Sequence, residues 1–247
     1  KQAAGKKAAA SGLTCDQVMA ELAALGSEAT RRTLSKHGAP AALLGVKIGG
    51  MKPLLKCTGP DHALALELWT TGVPDAQYLA GLMAVPQQMT VKDLERWARE
   101  ATWHMVAEYT VAWVAAESPH GVACARKWID AKRELTASAG YSTWSGVVCI
   151  TADEQLDMQE IEGLLQRIET TIHSERNRVR YTMNGLVIAI GSAVAPLQRR
   201  AMQAAAAIGA VDVDVGGTAC KVPLATEYIT KVLARSGVPR KRKTLRC

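Results

Sequence analysis

Asp61-His62-Ala63-Leu64-Ala65-Leu66-Glu67-Leu68-Trp69-Thr70-Thr71-Gly72-Val73-Pro74-Asp75-Ala76-Gln77-Tyr78-Leu79-Ala80-Gly81-Leu82-Met83 is the stretch whose reading decides the fold. Asp61 can cap a helix that carries Leu64, Leu66, Leu68 and Trp69 and stops at Gly72. Pro74 and Asp75 then open a second helix through Tyr78, Leu79, Leu82 and Met83. Two apolar helices with so short a break between them can only fold back on each other as a pair.

The same grammar extends in both directions. Thr14-x-x-Gln17 forms a capping-box pattern before Val18, Met19, Leu22 and Leu25. A helix follows Ser27 to about His37, and a short one spans Met51 to Cys57. Thr90-x-x-Asp93 opens a long helical region, broken near Thr102, that ends before Ser118-Pro119. Later helices are predicted over 121–130, 133–150, 154–172, 175–194, 196–209 and 223–236. Val211 to Val215 alternates like a strand but is short and isolated. Helix pairs recurring every ~30–45 residues predict an all-α, HEAT-like helical-repeat solenoid with a concave basic face. No strict sequence repeat exists, so a single irregular helical domain is the competing reading. The chain divides into a basic N-terminal arm (1–12), a repeat domain (13–194), a C-terminal helical extension (195–238) and a basic tail (239–247).

The 247 residues are 48% hydrophobic, enough for a sizeable core, yet Phe is absent. Six Trp, five Tyr and many Leu, Val and Ala must do the packing. The net charge of +7 points to a polyanionic partner, nucleic acid first, with a solvated basic surface as the alternative. No apolar run approaches the ~20 residues of a membrane span, and Lys1 to Gly12 lacks the apolar segment of a signal peptide. The six cysteines are scattered with no Cys-x-x-Cys pair, which predicts reduced thiols and no zinc site. These features predict a cytoplasmic monomer, associated with the nucleoid if the source is bacterial.

The chemistry is concentrated in Thr102-Trp103-His104-Met105-Val106-Ala107-Glu108, where two aromatic rings precede a carboxylate by about a turn. Such a cluster suits a cationic or electron-poor ring held over a sugar. Its bland alternative is a core Trp, an edge His and a Glu paired with a base such as Arg99 or Lys132. Phosphate contacts are expected from the tail residues Arg240, Lys241, Arg242 and Lys243. Further basic candidates are Arg176 and Arg180, four apart and therefore on one helix face, with Arg178 pointing elsewhere. Lys221 lies in the loop from Gly216 to Pro223, ahead of a helix start that is able to hold a phosphate oxygen. His37, His62 and His120 lack metal-ligand spacing, and Ser118-Pro119-His120 lacks the context of a hydrolase serine.

From about Val18 to Gly191 the chain resembles the AlkD-type DNA alkylation repair glycosylases. The resemblance is carried by Leu44-Gly45-Val46-Lys47-Ile48-Gly49-Gly50-Met51-Lys52-Pro53, by Ala63 to Trp69, and by Lys127-Trp128-Ile129 with the helix after it. It implies HEAT-like repeats, duplex DNA in the concave groove, and removal of purines alkylated at N3 or N7. In the best-understood members this proceeds without base flipping. It implies no metal and no organic cofactor.

The family's catalytic helix carries two neighbouring Trp and then an Asp, which fall on Trp103, His104 and Glu108. A further family Trp falls on Leu186, and a DNA-contacting Arg falls on Ser138. By this resemblance Glu108 stabilises the positive charge developing on the deoxyribose and orients the attacking water. Trp103 or Trp113 holds the sugar-phosphate, and His104, one turn from Glu108, hydrogen-bonds to it. The alternatives are a non-catalytic reader of damaged or branched DNA and a helical-repeat scaffold for another protein.

Overall fold

The computed structural model describes residues 12–246, so the predicted arm lies outside the described residues apart from Gly12, as does Cys247. The described chain is all helix and connection. In order it forms α1 (Cys15–Leu25), α2 (Glu28–Ser35), α3 (Ile48–Thr58), α4 (His62–Thr70), α5 (Pro74–Met83) and α6 (Val91–Glu100). A π-helical turn (Val106–Val111) runs directly into α7 (Ala112–Glu117). Then come α8 (Gly121–Trp128), α9 (Glu134–Ile150), α10 (Met158–Thr171), α11 (Asn177–Ala193), α12 (Gln198–Ile208) and α13 (Ala225–Ser236).

The expected caps form. The Asp61 carboxylate accepts from the Leu64 amide at 3.1 Å, and Pro74 is the first residue of α5. The Thr14–Gln17 and Thr90–Asp93 boxes both close reciprocally. At α1, α4 and α6 a side chain satisfies an orphan amide locally, which is why these starts were legible one segment at a time.

The helices stack in two layers. The α5, α7, α9 and α11 row is the inner layer, each helix packing on the next directly or through the π-helical turn, with α4, α6, α8, α10 and α12 outside it. This is the HEAT-like arrangement. Tryptophans replace the missing Phe: Trp69 and Trp97 stack at 4.1 Å and 6°, and Trp128 and Trp144 are fully buried. The segment Val211 to Val215 is extended but unpaired, with Val211 and Val213 turned into the core.

One expectation about the C-terminal part is revised. Residues 195–238 are not set apart, because α12 and α13 share one apolar cluster with α9 and α11. Ile229 sits so close to Gly191 that a Cβ there would come within 2.6 Å of its side chain. Residues 239–246, the described part of the basic tail, also pack on the body of the protein. They form a strap across the ends of the inner helices. The Arg240 amide donates to the Ser192 carbonyl at the end of α11, and the Arg242 amide to Cys149 at the end of α9. The Lys241 ammonium donates to Val148 and pairs with Asp153. Leu245 is buried against Gly146, where a Cβ would lie 2.6 Å from it. The strap finishes on Glu117, at the end of α7, which accepts from the Thr244 hydroxyl and the Leu245 amide at 2.7 Å each and from Arg246 at 3.0 Å. Arg246 also donates to the Ala84 carbonyl just past α5 at 2.7 Å. Cations at helix C-termini meet unpaired carbonyls and the negative end of the helix dipole, which favours this path for a basic segment.

Candidate functional site

The inner face carries two cavities of about 430 and 460 Å³. One residue pair, Glu108 and Arg178, stands between them. Glu108 lines the larger cavity and Arg178 the smaller, while Tyr109 and Tyr181 line both.

Glu108 lies in the π-helical turn. Such turns break the regular hydrogen-bond ladder and re-aim side chains, and they are frequent at functional sites. Its residue is only 5% exposed. Arg178 Nε donates to one carboxylate oxygen at 2.8 Å and Nη2 to the other at 2.5 Å. This parallel fork is the strongest geometry open to a protein ion pair. Burial pushes the Glu108 carboxyl above the ordinary carboxylate range, against the pull of Arg178 and Ser138. Burial also works against the charge on Arg178, but the bond and charge of Glu108 prevail and raise it, so a proton taken up by this pair goes to the carboxylate. The guanidinium is held from its other side by the Tyr181 ring, 4.4 Å from its centroid. The Arg178 amide donates to Glu134 at 2.7 Å. Tyr109 and Tyr181 are hydrogen-bonded to each other, and burial raises the Tyr109 phenol to about 12.

The sequence-predicted residues separate. His104 lines the smaller cavity beside Arg178. Burial, and next the Arg178 charge, lowers its imidazole to about 4, so it is neutral at physiological pH. The expected His104–Glu108 hydrogen bond is absent among the described contacts; Arg178 takes both oxygens instead. Trp103 is buried, with its indole N–H on the His37 carbonyl at 2.8 Å. It faces a separate, apolar cavity of about 260 Å³ with Leu34 and Met51, not the two inner ones. Trp113 does line the larger inner cavity. Neither Arg99 nor Lys132 is the partner of Glu108.

Among the basic candidates, Arg176 precedes α11 and is not on its face. Its guanidinium is occupied by the Ala131 and Lys132 carbonyls and by Glu175. Among the described residues the Arg180 guanidinium bonds to Asn177, at 3.5 Å, and Arg180 lines neither inner cavity. Lys221 is exposed in its loop. Lys241 is tied to Asp153, whereas Arg240 and Arg242 line the larger cavity and Lys243 is exposed. Arg178 does point away from the other two, and it is the one arginine of the three beside Glu108. Only its 70-residue separation from Glu108 hid it.

No group of three or more His, Cys, Asp or Glu side chains among the described residues has the geometry of a metal site. No helix among them is long and apolar enough to cross a membrane.

Two layers of packed helices define a HEAT-like helical-repeat protein. The chain belongs to the DNA alkylation repair enzyme family, whose model matches residues 18–213. It is 36% identical over 231 residues to the uncharacterised Listeria innocua protein Lin0241, covering 90% of this chain and 99% of the relative. It is 35% identical over 232 residues to the Listeria monocytogenes protein Lmo0209, with 91% and 99% covered. It also matches a solved structure from a family described as related to the HEAT-like repeat DNA glycosylases, with affinity for branched DNA structures. The TM-score is 0.87 at 34% identity, over 95% of this chain and 100% of that one.

Proposed function

We propose that this protein binds DNA on its inner face and recognises branched or damaged DNA without cleaving a glycosidic bond. The observation that carries the reading is the fork from Arg178 onto both oxygens of Glu108. A carboxylate stabilises a developing sugar cation through uncompensated charge in a dry site. Here that charge is cancelled by a partner that is itself clamped by Tyr181. Trp103, the stacking candidate, is packed away from the carboxylate. The relationship to a structure whose family has affinity for branched DNA supports DNA as the partner. Arg240, Arg242, Lys243 and Lys221 are the phosphate-contact candidates; cations of this kind bind backbone without reading sequence.

A second reading retains the glycosylase acting on cationic N3- or N7-alkylpurines. It is favoured by two facts: His104 is neutral, so its ring does not repel a cationic base, and Glu108 still borders a cavity. One experiment separates the two. The protein is incubated with N-methylated duplex DNA, released 7-methylguanine and 3-methyladenine are quantified, and binding to a four-way junction and a matched duplex is measured in parallel. The expected result is salt-sensitive binding that favours the junction, with no base release. Release that collapses in Glu108→Gln would overturn the binding-only reading and establish the glycosylase.

A further inference from the structure

We propose that the larger inner cavity is a seat for one unpaired nucleotide, its base among the rings of Tyr109, Trp113 and Tyr181 and its phosphate at Arg240 and Arg242. The proposal rests on the DNA-binding reading for the source of that nucleotide, a branch point. The cavity's own chemistry argues for the ligand class.

Size comes first. At about 460 Å³ the cavity falls in the ~300–1,000 Å³ range of small-ligand sites. It is kept open by small residues where two packed helices would normally interdigitate. α9 contributes Ser142, Ser145 and Cys149, and α11 contributes Gly185, Ala189 and Ser192, each set on one helix face. The Ser192 hydroxyl is buried and has no hydrogen-bond partner among the described residues.

Charge comes second. The charged residues of the lining are Glu108, Arg240 and Arg242. Arg178 cancels Glu108 from behind the wall. Among the described contacts nothing engages the Arg240 or Arg242 guanidinium, whereas Lys241 and Arg246 of the same strap are ion-paired. The two backbone anchors at Ser192 and Cys149 fix the strap where those two side chains border the cavity. The net result is a positive rim, and the guanidinium fork matches phosphate oxygens in pairs.

The aromatic wall is the third element. Tyr109 and Trp113 meet edge to face, 5.6 Å apart at 70°, so the corner offers two differently oriented rings. Tyr109 is 37% exposed, unusual for a residue otherwise locked to Tyr181. A lone phosphate needs no aromatic wall, and an apolar ligand needs no pair of arginines. A nucleotide uses both, by stacking and by ion pairing. Branch points present nucleotides already freed from the stack, so seating one costs least there.

The test uses the full chain and two independent probes. First, dAMP, dCMP, dGMP and dTMP are titrated by calorimetry, beside deoxyadenosine and inorganic phosphate. We expect the mononucleotides to bind at least tenfold more tightly than either fragment. Arg240→Ala with Arg242→Ala should weaken them tenfold or more, and Ala189→Trp, which fills the cavity, should abolish binding. Lys92→Ala, exposed on the outer helix α6 and lining neither inner cavity, should change nothing. Circular dichroism melts check that each variant is folded, and the arginine pair carries the test if Ala189→Trp is not.

Second, a junction bearing 2-aminopurine at its branch point reports burial of that base by fluorescence, while anisotropy reports DNA binding. Junction binding with no change at 2-aminopurine and no mononucleotide affinity would overturn the nucleotide seat and leave the DNA reading standing. Mononucleotide affinity without junction binding would sink the DNA reading and keep the seat. Phosphate binding as tightly as the nucleotides would reduce the cavity to an anion site and overturn the proposal.

Discussion

Glu108 and Glu117 lie nine residues apart on one continuous helical stretch, and the structure treats them in opposite ways. Glu108 is sealed in the wall, and its burial outweighs the pull of Arg178 and Ser138, so its carboxyl is raised. Glu117 is also partly desolvated. Yet the Leu245 amide, the Thr244 hydroxyl and Arg246 together overcome burial and hold its carboxyl below the ordinary range. The lesson is that depth of burial, not the presence of an arginine, decides the sign: both carboxylates accept from an arginine and a hydroxyl, but the Glu108 side chain is the more deeply buried. One carboxylate is costly to keep charged and its arginine makes that tolerable; the other is a fastening.

The largest expected effect breaks the first half of this contrast. Arg178→Ala leaves Glu108 buried and uncompensated and should destabilise the fold by about 3–5 kcal/mol in urea unfolding. Arg178→Met combined with Glu108→Leu should recover most of that loss. A single variant that loses less than about 1 kcal/mol would show that the pair is not structural.

The next effect concerns the strap. Glu117→Ala removes three charge-assisted hydrogen bonds and should cost roughly 2–3 kcal/mol. Trypsin should then cut first at Arg240 or Arg242, and an unchanged digestion pattern would refute the anchoring role. Gly146→Ala attacks the same strap sterically. Its Cβ would press on Leu245 and Ala116, for an expected cost of roughly 1–2 kcal/mol.

The pH dependence sharpens the comparison further. A lowered folded pKa gives stability that is present above the unfolded value, about 4.3 for Glu, and is lost as pH falls through the folded value. Glu117→Gln should therefore differ from the native protein at neutral pH and converge with it in acid. Glu108 has the opposite sign and the opposite window: its raised carboxyl lowers stability as pH rises from the unfolded value, about 4.3, through the higher folded one. The smallest effect is a null one. The His104 ring resonances should show no titration between pH 8 and 5, because its imidazole lies at about 4. A midpoint near 6.5 would mean that the Arg178 wall does not enclose it.

Much of the fold was legible because its determinants are local. Asp61, Gly72 and Pro74 mark a helix, its end and the next start within fourteen residues, and the caps formed as read. Glu108 was legible as the focus of the site for the same reason. What was not legible depended on distant partners. Nothing near Glu108 in sequence points to Arg178, and the equal spacing of Arg176 and Arg180 drew attention to the wrong pair. Arg176 sits before α11 begins, so helical spacing does not apply to it. The basic run at 240–246 reads as a tail for phosphate contact until Glu117 and the notch at Gly146 are placed opposite it.

A stack of helical repeats ordinarily behaves as a nearly one-dimensional object. Each unit touches its neighbours, and stability is approximately a sum along the row, so one end can fray while the other holds. The strap changes that arithmetic. By joining Arg246 to Ala84, 162 residues back along the chain, and Leu245 to Glu117, 128 back, it turns an open row into a closed circuit. The first inner helix and the last then melt as one cooperative unit. A solenoid built to unzip becomes one that must break all at once.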